Sequence, residues 1–115
     1  MLFKFSFFKV DGKSMSISIP ENSFVISRPV KKFEENALFI FTHKFYGKLI
    51  KKLVKVDSET NFWFKGDSQE SVSMERIGPI NKNKIIGRVI LCISEKGIKI
   101  FLWFIFVLFK AKKNY

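Results

Sequence analysis

At 115 residues and 13.5 kDa the chain has room for one domain with a modest core and not for two. A net charge of +11 suits an acidic partner such as nucleic acid or anionic lipid, although lysines scattered between strands give the same total with no such partner. A single cysteine, Cys92, excludes an intramolecular disulfide, so nothing supports residence in an oxidising space.

Phe3–Val10 is the first predicted strand, and Asp11-Gly12 supplies its turn. Phe24–Ser27 is the second, ended by Pro29, and a charged link from Lys31 to Asn36 leads to the apolar run Ala37–Phe41. A turn at Tyr46-Gly47 precedes a strand over Leu49–Val56. Asp57-Ser58-Glu59-Thr60 is a polar turn, and Asn61–Lys65 is a short aromatic strand. Gly66–Gly78 is too polar and aperiodic to form an element, and a loop of that length suggests a function. Ile85–Ser94 is the next strand, with Cys92 as core packing in its apolar run. Fifteen phenylalanines favour strands, and nowhere does an i, i+3, i+4, i+7 apolar pattern persist over three turns. The expected fold is mainly β, a coiled sheet or partly closed barrel, occupying residues 1–97.

Residues 98–115 form a hydrophobic, lysine-flanked tail. Ile98–Phe109 is apolar apart from Lys99 and is followed by Lys110, Lys112 and Lys113. As a helix it would reach roughly 18 Å, short of the ~30 Å hydrocarbon core of a bilayer. Two readings stand: a buried last strand after the Glu95-Lys96-Gly97 turn, or a segment lying in a membrane interface. Lys4 and Lys9 interrupt the apolar start, so no secretory signal is read there and the expected location is cytoplasmic, peripheral to the membrane where the tail touches it.

Two distant stretches carry chemistry. Val10-Asp11-Gly12-Lys13-Ser14-Met15 presents a serine just after a glycine, and Leu49-Ile50-Lys51-Lys52-Leu53-Val54 holds lysines between aliphatics. A serine nucleophile with a lysine base is sufficient to cut a peptide bond. Free lysine titrates near ~10.4, so the base must be desolvated. Lowering it by roughly three units costs about 4 kcal/mol, a burden a small domain carries only where the neutral amine has a use. On a strand, Lys51 shares a face with Leu49 and Leu53, while Lys52 shares the other with Ile50 and Val54. Periodicity alone does not choose between them.

The order Val-x-Gly-x-Ser-Met, Ile-Lys-Lys, Gly-Asp in a polar loop, and Ile-Ile-Gly-Arg-Val resembles the signal peptidase I group of Ser/Lys proteases, which is related to the LexA-type repressors. Here these are Val10–Met15, Ile50–Lys52, Gly66-Asp67 and Ile85–Val89, and the resemblance spans roughly residues 8 to 93. It implies the coiled-sheet catalytic fold of that group, with Ser14 as nucleophile, Lys51 as base, the Ser14 backbone N–H as oxyanion donor and Met15 shaping the substrate pocket. Gly12 stands where some relatives add a hydroxyl donor. Relatives orient the lysine with a serine in the polar loop, for which Ser71 and Ser73 are the candidates, and Gly66 and Asp67 are structural loop residues. Asn22-Ser23 and Asn36-Ala37 replace the Gly-Asp turns of the family; asparagine tolerates a left-handed backbone next best to glycine, so the path is expected to survive. The short chain and bare N-terminus fit the branch resembling the nickel-type superoxide dismutase maturation protease, which removes an N-terminal propeptide from a precursor protein. That reading needs no cofactor and no metal.

Competing assignments are weaker. Gly12-Lys13-Ser14 lacks the first glycine of a phosphate loop, since Phe7 stands there. His43, the one histidine, is read as a solvated residue at a strand end rather than part of a triad with Asp11, Asp57 or Asp67. The alternative function is a catalytically inactive basic β module binding nucleic acid or a membrane surface. In it, exposed aromatics at Phe62, Trp63 and Phe64 would stack on single-stranded bases.

Overall fold

The run Leu38-Phe39-Ile40-Phe41 offers no polar side chain to either side of a strand, which calls for a central strand covered on both faces. In the computed structural model, which describes residues 5–10, 19–20, 22–66 and 73–101, this is what β3 does. The elements in chain order are β1 (Ser6–Lys9), β2 (Phe24–Arg28), β3 (Leu38–His43), β4 (Gly47–Val56), β5 (Phe62–Lys65), α1 (Met74–Ile77), a single 3-10 turn (Lys82–Lys84), β6 (Ile85–Ser94) and β7 (Gly97–Ile100). All strand pairs are antiparallel, in the order β1-β2-β6-β3-β4-β5, with β7 also on β6. The protein is mainly β, and its helices among the described residues amount to one turn each.

Strand β6 organises the sheet. Its first half, Ile85–Arg88, pairs with β3, and its second half, Leu91–Ser94, pairs with β7. Because β2 occupies the opposite edge from Arg88 to Ile93, β3 and β7 share one edge in succession. A bulge at Ile90 lets Val89 and Cys92 both face inward despite their odd separation, which strict alternation would forbid. Gly87 has a different duty: a Cβ there would lie 2.8 Å from the Arg28 carbonyl oxygen, so only glycine lets β2 cross this closely.

Two cores flank β3. The inner one gathers Ile19, Val25, Leu38, Ile40, Val89 and Cys92, with Phe8, Val10, Ile50 and Phe101 at its margin. The outer one gathers Phe39, Phe41, Leu53, Phe62, Phe64, Ile77 and Ile80, with Val30, Phe33, Leu49 and Ile85 beside them. The sheet is not closed into a barrel, since no described pairing joins β1 to β5. It is nevertheless coiled: the Lys48 ammonium of β4 lies 5.0 Å from the centre of the Phe8 ring on β1, although three strands separate them in the pairing order.

The asparagine turns behave as expected, with φ of 67° at Asn22 and 71° at Asn36. Both are tied into the sheet, Asn22 N–H donating to the Val10 carbonyl and Asn36 N–H to that of Leu53. Three expectations are corrected. Residues Gly66–Gly78 are not free of structure, because Ser73 caps α1 and Ile77 inserts into the outer core; a four-residue helix is too short for any periodic signal. Of the two readings of the tail, the buried last strand is corrected where it begins: β7 forms over Gly97–Ile100 but is exposed along its whole length. Phe62 and Phe64 are buried, and Trp63 is half-buried under Lys55, so this strand is no stacking platform.

Candidate active site

Lys51 sits in the middle of β4, opposite Phe39 of β3, and so on the outer face with Phe39, Leu49 and Leu53. Its exposure is 0%, and it is the only buried lysine among the described residues. Lys52, its neighbour, faces inward and is only half-buried. Burial therefore distinguishes two lysines that alternation left equivalent. Desolvation penalises the ammonium form of an amine in such a position.

The connections around Lys51 explain why it is enclosed. On one side, the Leu53 N–H donates to the Ala37 carbonyl at 2.9 Å, and the Asn36 N–H returns a bond to the Leu53 carbonyl at 2.8 Å. These bonds extend the β3–β4 ladder into the link that carries Phe33 over the outer core. On the other side, β5 pairs with β4 only from Lys52 onward, through Lys65. Gly66 therefore marks the point where the chain leaves the sheet beside Lys51.

The link itself is anchored by an ion pair, Arg88 Nη1 to Glu34 Oε1 at 3.1 Å. Arg88 is buried on β6 opposite Phe39, so the guanidinium and Lys51 flank the same phenylalanine from neighbouring strands. This support was not assigned from sequence. Its signal was present: an arginine within a run that is otherwise apolar must find a partner if buried.

His43 is corrected from a solvated residue to a buried one. Its Nε2 lies 2.8 Å from the Ile77 carbonyl, and Nδ1 accepts from the backbone N–H groups of Phe45 and Tyr46. The ring thus ties α1 to the end of β3 and closes the β3–β4 turn. With both nitrogens so used, it is a structural bridge rather than part of a triad.

The remaining expected site residues divide simply. Ser14 and Met15, the Ser14 backbone N–H, Asp67 and Ser71 lie outside the described residues. Ser73 is described and exposed, and its Oγ accepts from the Arg76 N–H at 3.3 Å as the N-cap of α1. Asp57, half-buried in the turn after β4, accepts from Trp63 Nε1 at 3.0 Å and from the Glu59 and Asn61 N–H groups. Chiefly the Trp63 bond, and then the backbone bond from Asn61, holds its carboxyl below the ordinary value of 3.8. This fastens the β4–β5 turn, where Thr60 adopts φ of 61°.

Comparison with known proteins adds one match. The family model described as Peptidase S24-like matches residues 4–90, which takes in every strand from β1 to the first half of β6. No curated protein and no solved structure matches the chain.

Proposed function

The chain belongs to the peptidase S24-like family, and from that premise we propose that it is a serine endopeptidase working through Ser14 and Lys51, which removes an N-terminal propeptide from a precursor protein. The observation that carries this reading is the complete burial of Lys51 in mid-strand, at the position the family resemblance assigns to the base. A fold of this size tolerates a lysine there at an energetic cost that a solvated lysine avoids.

The chemistry follows from the two groups. Neutral Lys51 Nζ accepts the proton as Ser14 Oγ attacks the scissile carbonyl carbon. The Ser14 backbone N–H steadies the oxyanion, and the Lys51 ammonium then returns its proton to the departing amine. Water completes the cycle by the same route. Chain length permits the encounter: Phe8 stands beside Lys48, and the six residues from Phe8 to Ser14 span up to roughly 20 Å when extended, while Lys48 to Lys51 is roughly 10 Å of strand. The β4–β5 pairing begins at Lys52, so the approach is proposed along the stretch of β4 that precedes it, from Gly47 to Ile50. Ser71 is the candidate to orient the amine, given that Ser73 serves as a helix cap.

The test is co-expression with candidate precursors, including a nickel-type superoxide dismutase precursor, followed by N-terminal sequencing. Wild type and Lys52→Met yield the new N-terminus, whereas Ser14→Ala and Lys51→Met lose processing by on the order of 1,000-fold or more. Processing that survives in both Ser14→Ala and Lys51→Met overturns the dyad.

A further inference from the structure

The outer surface of β1, β2, β6 and β7 carries two cross-strand rows of apolar side chains. In the first, Phe7 stands opposite Ile26, Ile26 opposite Leu91, and Leu91 opposite Ile100. In the second, Phe24 stands opposite Ile93, and Ile93 opposite Ile98. Residues directly opposite in antiparallel strands project to the same side, so these seven form one continuous face. The reverse side of β1, β2 and β6 is core, through Phe8, Val25 and Cys92. Exposure on this face is large: 70% at Phe7, 65% at Ile98 and 52% at Ile100, with Phe5 half-exposed alongside. Single exposed aliphatics are ordinary on a protein surface, but adjacent rows of four and three apolar side chains across this sheet mark an interaction site.

We propose that this face docks on the surface of an anionic lipid bilayer. The charge of the chain argues for that occupant. A second copy would bring two molecules of +11 face to face, whereas anionic headgroups offset the same charge. Lys9 stands opposite Phe24 and so completes the second row with a cation on the same side. The chain also continues from the margin of the face in matching chemistry. The Phe101 N–H still donates to the Ile90 carbonyl at 2.8 Å, and the sequence that follows, Leu102–Phe109, is wholly apolar before Lys110, Lys112 and Lys113. Apolar side chains entering the acyl boundary with lysines among the headgroups is the pattern of an interfacial protein. The sheet face supplies a rigid platform on which such a tail begins. This docking stands apart from the Ser14–Lys51 chemistry, and neither requires the other.

The test is cosedimentation of the full chain with vesicles of phosphatidylcholine, with and without phosphatidylglycerol. Wild type binds the phosphatidylglycerol vesicles about 10-fold or more tightly than phosphatidylcholine alone. The double variant Phe7→Glu with Ile98→Glu weakens that binding by on the order of 100-fold while its thermal unfolding matches wild type. Should that variant lose its fold, Phe7→Ser alone, which trims one exposed ring, is expected to weaken binding severalfold. Three results overturn the proposal: wild type that ignores phosphatidylglycerol vesicles, a folded face variant that binds as wild type does, or a dimer in solution that the face variants convert to monomer. The first excludes lipid, the second transfers binding to the tail alone, and the third assigns the face to a second copy. Cleavage of a soluble precursor is expected to be unaltered in the face variants, so failure here is separable from failure of the peptidase reading.

Discussion

The outer face of the sheet is made of the same residue types at its two ends, yet the ends meet opposite surroundings. Over β3, β4 and β5, the rings of Phe39, Phe41 and Phe64 are roofed by Val30, Phe33, Ile77 and Ile80, and Lys51 is enclosed with them. Over β1, β2 and β7, Phe7, Phe24, Ile98 and Ile100 stand in the open. The difference lies in the connections. The link between β2 and β3 and the stretch from Gly66 to Lys84 both contribute side chains to the roof of the covered end. Between β1 and β2, the described Ile19 lies in the inner core with Val10 packed against it, and β6 turns into β7 through Glu95 and Lys96 alone. A strand becomes core where a neighbouring loop has residues to spare for it.

The largest expected effect comes from breaking this contrast directly. The rings of Phe41 and Phe64 stack with centroids 4.4 Å apart, and Phe64→Ala is expected to cost about 3–5 kcal/mol of stability. Ile98→Ala, at the bare end, is expected to cost within about 0.5 kcal/mol beyond the change in strand propensity. Urea unfolding of the two variants checks both; equal losses would show that the bare face is covered in solution.

The next effect lies at the seam between the two ends. Gly87→Ala places a methyl group against the Arg28 carbonyl and the Ser27 hydroxyl, where the backbone has no freedom to yield. A loss of about 1–3 kcal/mol is expected from the overpacking. The displacement should also loosen the neighbouring Arg88–Glu34 pair, and amide exchange at Asn36 and Leu53 would report it.

The smallest effect sharpens the covered end alone. Because the Asp57 carboxyl is held low in the folded chain, its hydrogen bonds favour the native state at pH above the unfolded value, and that support is lost as pH falls through the lowered folded value. Trp63→Phe removes the leading cause, so the Asp57 carboxyl should titrate closer to 3.8, as followed by NMR. An unchanged titration would assign the lowering to the backbone N–H groups of Asn61 and Glu59.

Much of the strand order was legible because apolar runs and turn residues are local signals. Phe24, Leu38, Val56, Lys65 and Ile85–Ser94 bound or lie within strands close to where alternation and the asparagine, glycine and proline punctuation put them. The left-handed turns at Asn22 and Asn36 were legible for the same reason, since a single residue's tolerance of positive φ decides them. Cys92 in the core needed no more than its apolar neighbours.

Burial of one lysine rather than the next was not local. Lys51 and Lys52 have equivalent flanks along the chain, and they separate only because β4 presents one to the roofed outer face and the other inward. His43 was misjudged on the same ground: its partner on α1, the Ile77 carbonyl, comes from a segment more than thirty residues away, whose single helical turn has no periodicity to reveal it. The sequence alone thus determined which residues extend and where the chain turns, and its family resemblance named the groups proposed for peptidase chemistry. Which face of each strand is enclosed was decided by the tertiary structure, because enclosure depends on where distant connections cross the sheet, and no pattern within a strand records that.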